Sequence, residues 1–237
     1  MPAPSENLPL KMARPNLDHL PALALPGEFS LRWYQPGDEA HWRRIHRAAD
    51  RFLEITPELF RGQFGGGAER GLSAASTLER RSGIDSALQD LRERQCYLLE
   101  PCGEVIGTGT AWFDDNLTEG SGNARPFRSP SFSCAEGERE VASQPMDLLG
   151  DRWGRVHWMA IVPEFQRHGL GKVLLGAICQ RLRELGHERA YLHTSAARIP
   201  AIQLYLRFGF APVVRNAAER AVWKDVLASL PPASTAA

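Results

Sequence analysis

Apolar residues recur at helical spacing or alternate with polar ones along most of the chain after Gly27, and hardly at all before it. Residues 1–26 are broken by prolines and carry little periodicity, so they read as a flexible arm. Residues 29–34 read as a short strand, and after the turn Pro36-Gly37 the carboxylate of Asp38 stands where a helix cap belongs. The helix that it opens runs to about Arg51, with Ala40, Trp42, Ile45, Ala48 and Ala49 on its buried side. Thr56-Pro57-Glu58 repeats the start signal, a cap followed by proline in the first turn, for a short helix ending near Phe64. Three glycines at 65–67 break it. They follow a helix instead of a strand and lack the Lys-Ser/Thr pair of a nucleotide loop, so they predict a connector. Asp85 can cap a third helix through Arg94, and residues 96–100 and 104–113 form a hairpin around Pro101-Cys102-Gly103. Gly107 and Gly109, inside its second strand, predict a bulge or a close approach of another chain segment.

From about 114 to 153 the sequence is rich in Gly, Ser, Pro, Asn and charge without a period. So long an unpatterned stretch inside a folded region is a candidate lid over a binding site or an insertion without a role. Periodicity returns at 155. Residues 155–162 are strand-like, 163–168 form a polar connection, and Leu170, Val173, Leu174, Ala177, Ile178, Leu182 and Leu185 fall at helical spacing. Residues 189–194 read as a further strand, Pro200 opens a helix through Arg207, and Gly209 ends it. Residues 221–230 read as an apolar-rich terminal strand able to pair across a homodimer, and 231–237 as a disordered tail.

Composition narrows the function by exclusion. Lys plus Arg number 28 against 28 Asp plus Glu, so no global field steers the chain to nucleic acid or an anionic membrane. The N-terminus lacks the apolar core of a secretory signal, no apolar run approaches the ~20 residues of a bilayer span, and a cytoplasmic protein is expected. Cys96, Cys102, Cys134 and Cys179 form neither a CxxC pair nor a zinc spacing, and read as reduced thiols with no metal.

The chemistry concentrates in 155–210, where eight Lys plus Arg face three Glu. Gly169 and Gly171 stand where a helix begins, a place where the backbone can turn sharply and present free N–H groups together with the positive end of the helix dipole. Gln166-Arg167-His168-Gly169-Leu170-Gly171 is therefore built like a pyrophosphate cradle. With Gln-x-x-Gly-x-Gly at 166–171 and Ala201-x-x-Leu204-Tyr205-x-x-x-Gly209-Phe210 downstream, the chain resembles the GNAT superfamily of acyl-CoA-dependent N-acetyltransferases. The likeness is strong over 155–215 and looser back to 29.

That resemblance implies an α/β fold: a single GNAT-type domain over 27–230, its mixed, mostly antiparallel sheet of about seven strands flanked by helices and splayed between 155–162 and 189–194. It implies acetyl-CoA as co-substrate and a primary amine as acceptor. Met159, Ala160, Ile161 and Val162 would lie beside the pantetheine arm, and the amides of Arg167, His168, Gly169, Leu170, Gly171 and Lys172 would hold the pyrophosphate. Tyr205 matches the tyrosine that protonates the departing thiolate, and a phenol suits that task. Arg198 replaces a frequent asparagine, and an arginine there could reach a phosphate or an acidic group instead. His157 is the first candidate for the base that deprotonates the amine, through its place on the strand before the cradle, on the face of Met159; His193 is the reserve. The alternative is a non-catalytic acyl-CoA-binding or sensing module, with Arg198 marking lost chemistry.

Overall fold

The structure, a computed structural model, describes residues 7–64, 90–112, 127–131, 142–146 and 153–231, with the backbone alone for 127–131 and 142–146. Nine strands appear in chain order among these residues: β1 (Pro9–Arg14), β2 (Ser30–Trp33), β3 (Gln95–Leu99), β4 (Val105–Trp112), β5 (Phe127–Ser131), β6 (Ala142–Met146), β7 (Trp153–Ile161), β8 (Arg189–Ser195) and β9 (Ala211–Pro212). The helices are α1 (Glu39–Ala49), α2 (Pro57–Phe64), α3 (Leu170–Glu184), α4 (Ile199–Arg207) and α5 (Ala217–Ala228), with residues 90–94 also helical. Seven strands form a mixed sheet in the order β2-β3-β4-β7-β8-β1-β9, and β5 pairs with β6. This is the α/β fold that the sequence implied. Contacts divide the chain into two units, one of residues 20–112 and 156–181 and one of 1–19, 113–155 and 182–237.

In the first of these units β2, β3 and β4 are an antiparallel meander. The hairpin turn uses Gly103 at φ +89°, and the pairing shifts register between Leu98 and Leu99. Both glycines of β4 mark close approach. A Cβ on Gly107 would lie 3.2 Å from the Ala160 carbonyl oxygen, and one on Gly109 only 2.2 Å from Ile178 Cδ1 of α3. The missing side chains let α3 and β7 settle onto β4. Gly109→Val should therefore overpack this contact and destabilise the fold by about 1–3 kcal/mol. Urea denaturation would read this as a lower midpoint at unchanged m value, partly recovered when Ile178→Ala is added.

Asp38 occupies the residue before α1 without capping it through its side chain. Its carboxylate is held instead by a bidentate bond from Arg32 (2.6 and 2.7 Å) and by the Gln35 amide. This pairing raises the guanidinium of Arg32 above its ordinary value, chiefly through the hydrogen bond itself. The buried side of α1 is Trp42, Ile45 and His46, while Ala40 and Ala48 are exposed; the helix is rotated toward its aromatic residues, which bury more area than methyl groups do. Thr56 does cap α2, its Oγ1 accepting from the Leu59 amide at 3.1 Å. Trp42 is fully buried, with ring centroids of Phe60, Phe64 and Trp158 at 5.2, 5.8 and 5.0 Å.

In the second unit β1 pairs antiparallel with both β8 and β9. Residues 9–14, expected within a flexible arm, are thus an interior strand, with Leu10, Met12 and Ala13 buried. Of the prolines that suggested an arm, Pro9 is the first residue of the strand and Pro15 follows its last, positions at which a strand tolerates proline. Arg14 fastens it, donating to the carbonyls of Phe208, Asn16 and His19. Of residues 221–230, expected as a terminal strand for a dimer, 221–228 belong to helix α5. Asn216 caps it by accepting from the Glu219 amide at 2.9 Å, and Trp223, Val226 and Leu227 are buried at i, i+3 and i+4. Of the unpatterned region 114–153, β5 and β6 form an antiparallel pair. Its prolines hid that pair from the pattern, and a two-stranded ribbon tolerates them because every strand is an edge. The remaining expectations on 113–126, 132–141, 147–152, the glycines 65–67, the Asp85 cap, Cys134 and the tail 232–237 lie outside the described residues.

Candidate functional site

β7 leads into the turn that begins α3, and the local chemistry of that junction follows from a few residues. Trp158, inside β7, has φ +47°, a conformation that a bulky residue rarely adopts. Its indole Nε1 donates to Gln63 Oε1 of α2 at 2.9 Å, and its ring packs on Trp42 and His46. The expected shared face of His157 and Met159 is therefore corrected: a left-handed residue between them interrupts the alternation of an extended strand. His157 is buried, its ring 5.6 Å from Phe64 and 6.2 Å from Trp112 between centroids. Met159 and Ala160 are half-buried beside the β4 glycines.

Beyond the strand, the Val162 amide donates to Ile106 at 2.9 Å and Gln166 Nε2 donates to the Ile161 carbonyl at 2.8 Å. Both groups are thereby spent within the fold, and Ile161 and Val162 are buried. A single 3₁₀ turn, Pro163–Phe165, precedes two left-handed residues, Arg167 at φ +66° and Gly169 at φ +79°. This reversal aims the chain so that α3 starts at Leu170, whose side chain anchors in the core while its amide lies in the first helical turn. Among the described residues, none of the amides of Arg167, His168, Gly169 and Leu170 donates to another backbone group. Those amides, with the exposed side chains of Arg167, His168 and Lys172, make a solvent-facing row of donors at the positive end of α3. A Cβ on Gly169 would meet nothing within 4 Å, so glycine is required there for its φ and not for space.

Tyr205 and Arg198 lie in the other unit. Tyr205 is buried on α4, edge-on to Phe210 at 6.1 Å, and its carbonyl accepts from the amides of Phe208 and Phe210. Arg198 stands immediately before α4, where its amide donates to Ser195 and its carbonyl accepts from Ile202. His193, exposed on β8, is pushed down to about 4, first by the shielding of its surroundings and then by the positive charges of Arg155, Lys11 and Arg215.

Sequence reasoning found the glycine turn and the helix behind it. It missed the left-handed Trp158, because an aromatic residue in a strand pattern carries no sign of such a φ. It also missed Gln63, which reaches Trp158 from 95 residues away. Among the tryptophans, Trp112 and Trp153 are core, Trp33 is exposed beneath the guanidinium of Arg181, and Trp158 is half-buried. Among the described residues Cys96 and Cys179 are buried and Cys102 is exposed, none of them in a disulfide; burial pushes Cys96 up to about 12. Among the described residues no three His, Cys, Asp or Glu side chains are grouped so as to hold a metal, and no helix is long and apolar enough to cross a membrane.

Comparison with known proteins places this junction in a family. Two mycothiol acetyltransferases match over 57 residues, that of Pseudarthrobacter chlorophenolicus at 42% identity and that of Arthrobacter sp. at 40%. Each alignment takes in 24% of this chain and 18% of the relative, so the match spans under a fifth of those relatives' length. Among solved structures, a GCN5-related N-acetyltransferase from Sphaerobacter thermophilus superposes with TM-score 0.48 at 18% identity, over 86% of this chain and 49% of its own. The ribosomal-protein-S18-alanine N-acetyltransferase of Escherichia coli gives 0.43 at 16%, over 76% of each chain. A model of the acetyltransferase (GNAT) family matches residues 68–210, more than half of the sequence and the whole of the strand, turn and helix just described; the chain belongs to the GNAT acetyltransferase family.

Proposed function

We propose that this protein is an N-acetyltransferase that moves the acetyl group of acetyl-CoA directly onto a primary amine. The observation that carries the reading is the start of α3, where the amides of Arg167 to Leu170 have no backbone partner among the described residues, at the positive end of a 15-residue helix. Such a place favours a pyrophosphate through several charge-assisted hydrogen bonds. Arg167, His168 and Lys172 add side-chain donors, and the Gly171 amide continues the row, whereas the Lys172 amide is spent on the Gly169 carbonyl at 3.1 Å. Arg198 is assigned to a phosphate of the coenzyme.

In this mechanism β7 orients the thioester beside Met159 and Ala160, with Ile161 and Val162 forming the apolar floor. His157 takes a proton from the acceptor ammonium, the amine nitrogen bonds to the thioester carbonyl carbon, and collapse of the tetrahedral adduct breaks the C–S bond. Tyr205 gives its phenolic proton to the leaving thiolate and is reprotonated by the second proton that the adduct nitrogen loses, while His157 releases its proton to solvent, so that one proton is set free per turnover. Most of the rate gain is positioning of two reactants, which the fold supplies before any proton moves.

Two measurements test this. Calorimetric titration should give micromolar binding of acetyl-CoA and CoA with none of NAD or ATP, and thiol release across an amine panel should identify an acceptor class. Tyr205→Phe should then lower kcat by about 10²-fold or more, the scale of general acid catalysis, with KM for acetyl-CoA unchanged. Acetyl-CoA binding without turnover on any amine would instead favour the binding-module reading.

A further inference from the structure

Consecutive residues of β7 divide between the two faces of the sheet out of turn. Met159 stands on the face that α3 covers, since a Cβ on Gly109 would lie 3.3 Å from Met159 Cγ and also against Ile178 of α3. His157 stands on the opposite face. Its ring lies 5.6 Å from that of Phe64 in α2 and 6.2 Å from that of Trp112, which is three residues beyond Gly109 in β4 and so points the other way. Trp158 is on that face as well, its ring 5.0 Å from Trp42 and 5.1 Å from His46 of α1. In an unbroken strand residues 157 and 159 would share a face and 158 would take the other. Two adjacent side chains on one face are the arrangement of a bulge, and here the left-handed backbone of Trp158, at φ +47°, makes it.

A tryptophan in that region is strained and stays there only when its surroundings hold it. The rings of Trp42 and His46 give it buried area, which has little direction. The hydrogen bond from Trp158 Nε1 to Gln63 Oε1, at 2.9 Å, does have direction, and its acceptor stands on a fixed element. Thr56 caps the start of α2, and Phe60 and Phe64, both buried against Trp42, set the roll of that helix. Gln63, three positions after Phe60 and beside Phe64, is thereby brought to β7 with its side chain half-buried. Without the Gln63 oxygen the indole N–H is left beside an aromatic cluster with no acceptor from that helix. The lost partner and the strained backbone then both favour a turn of Trp158 toward the extended region, which would restore the alternation and move His157 relative to Met159.

We infer that Gln63 is a positioning residue for acetyl transfer: by fixing the indole of Trp158 it holds the reversal that sets the proposed base His157 on one face of β7 and Met159, the proposed neighbour of the thioester, on the other. The inference rests on the acetyl-transfer reading and adds to it a residue of α2 that acts through Trp158. All of these groups lie in one unit of the fold.

Three substitutions test the role. Gln63→Leu removes the accepting oxygen, Gln63→Glu keeps one, and Trp158→Phe keeps a ring without its N–H. On an amine that the parent acetylates, Gln63→Leu should lower kcat by at least about tenfold, the scale of a lost hydrogen bond or a slight misplacement of reacting groups. KM for acetyl-CoA should stay unchanged, because the donor row at α3 is untouched, and Gln63→Glu should recover most of the loss. Trp158→Phe should lose about as much, and adding Gln63→Leu to it should cost nothing further, since both remove the same bond. A merely structural role would lower the melting temperature and leave kcat of the folded enzyme as it was. By NMR, the Met159 methyl and His157 imidazole signals should move in Gln63→Leu and return in Gln63→Glu. Should Gln63→Leu fail to fold, Trp158→Phe carries the same comparison of kcat with KM. An unaltered kcat in the folded variants, or additive losses in the double variant, would overturn the role of Gln63 and leave the acetyl-transfer reading standing. A parent that acetylates no amine would sink that reading by itself; the NMR comparison then decides, and unmoved His157 and Met159 signals would mean that Gln63 does not hold this strand.

Discussion

Acetyl-CoA binding should be lost when Gly169 and Gly171 are both replaced by valine, with the apparent affinity down by about 10²-fold or more and the melting temperature only modestly lower. Gly169 has φ +79° with nothing within 4 Å of a Cβ, so the substitution strains the backbone by about 1–2 kcal/mol without a clash in the core. To relieve that strain the turn must rotate, and rotation swings the amides of residues 167–170 away from a common target. Losing two charge-assisted hydrogen bonds at about 1.5–3 kcal/mol each gives the stated loss of affinity. The measurement is calorimetry on the double variant beside a thermal melt. Tight binding retained by a folded double variant would end the assignment of this turn to the pyrophosphate.

Trp42→Ala should be the most damaging single change in stability, costing about 3–5 kcal/mol, the range for large aromatic truncations in a core. Trp42 has no exposed surface, and His46, Phe60, Phe64 and Trp158 pack around it with centroids 4.4 to 5.8 Å away. Those residues come from α1, α2 and β7, so one cavity would loosen three elements at once. A loss of this size is a large part of the stability of an ordinary domain, commonly about 5–15 kcal/mol. Urea denaturation compares the parent with Trp42→Ala and Trp42→Phe, and the phenylalanine variant should recover most of the loss. Equal midpoints for parent and alanine variant would mean that the aromatic cluster does not hold these elements together. Because Trp158 rests on Trp42 and lies on the strand before the coenzyme turn, the alanine variant should also bind acetyl-CoA more weakly at temperatures where it remains folded.

Much of the candidate site was legible one residue at a time. Glycines at 169 and 171 before an amphipathic run are a local signal, since a left-handed turn and a helix start are both decided within a few residues, and the structure has Gly169 left-handed and α3 beginning at Leu170. The downstream helix opened by Pro200 and closed at Gly209, which has φ +81°, is of the same kind. The failures share a different cause. Asp38 carries a strong capping signal, yet Arg32, six residues earlier, outcompetes the helix amides for its carboxylate. Residues 9–14 carry a weak strand signal, and only the free edges of β8 and β9 make them a strand.

Periodicity and turn chemistry, which depend on neighbours within about one helical turn, thus determined the order of most elements and the helix-start row of donors. Only the tertiary structure decided that the N-terminal segment enters the sheet, that Trp158 is left-handed, and that residues 221–228 belong to a helix. Each of these depends on partners far away in the chain, and such pairings are selected by burial and charge in three dimensions, which no local pattern encodes.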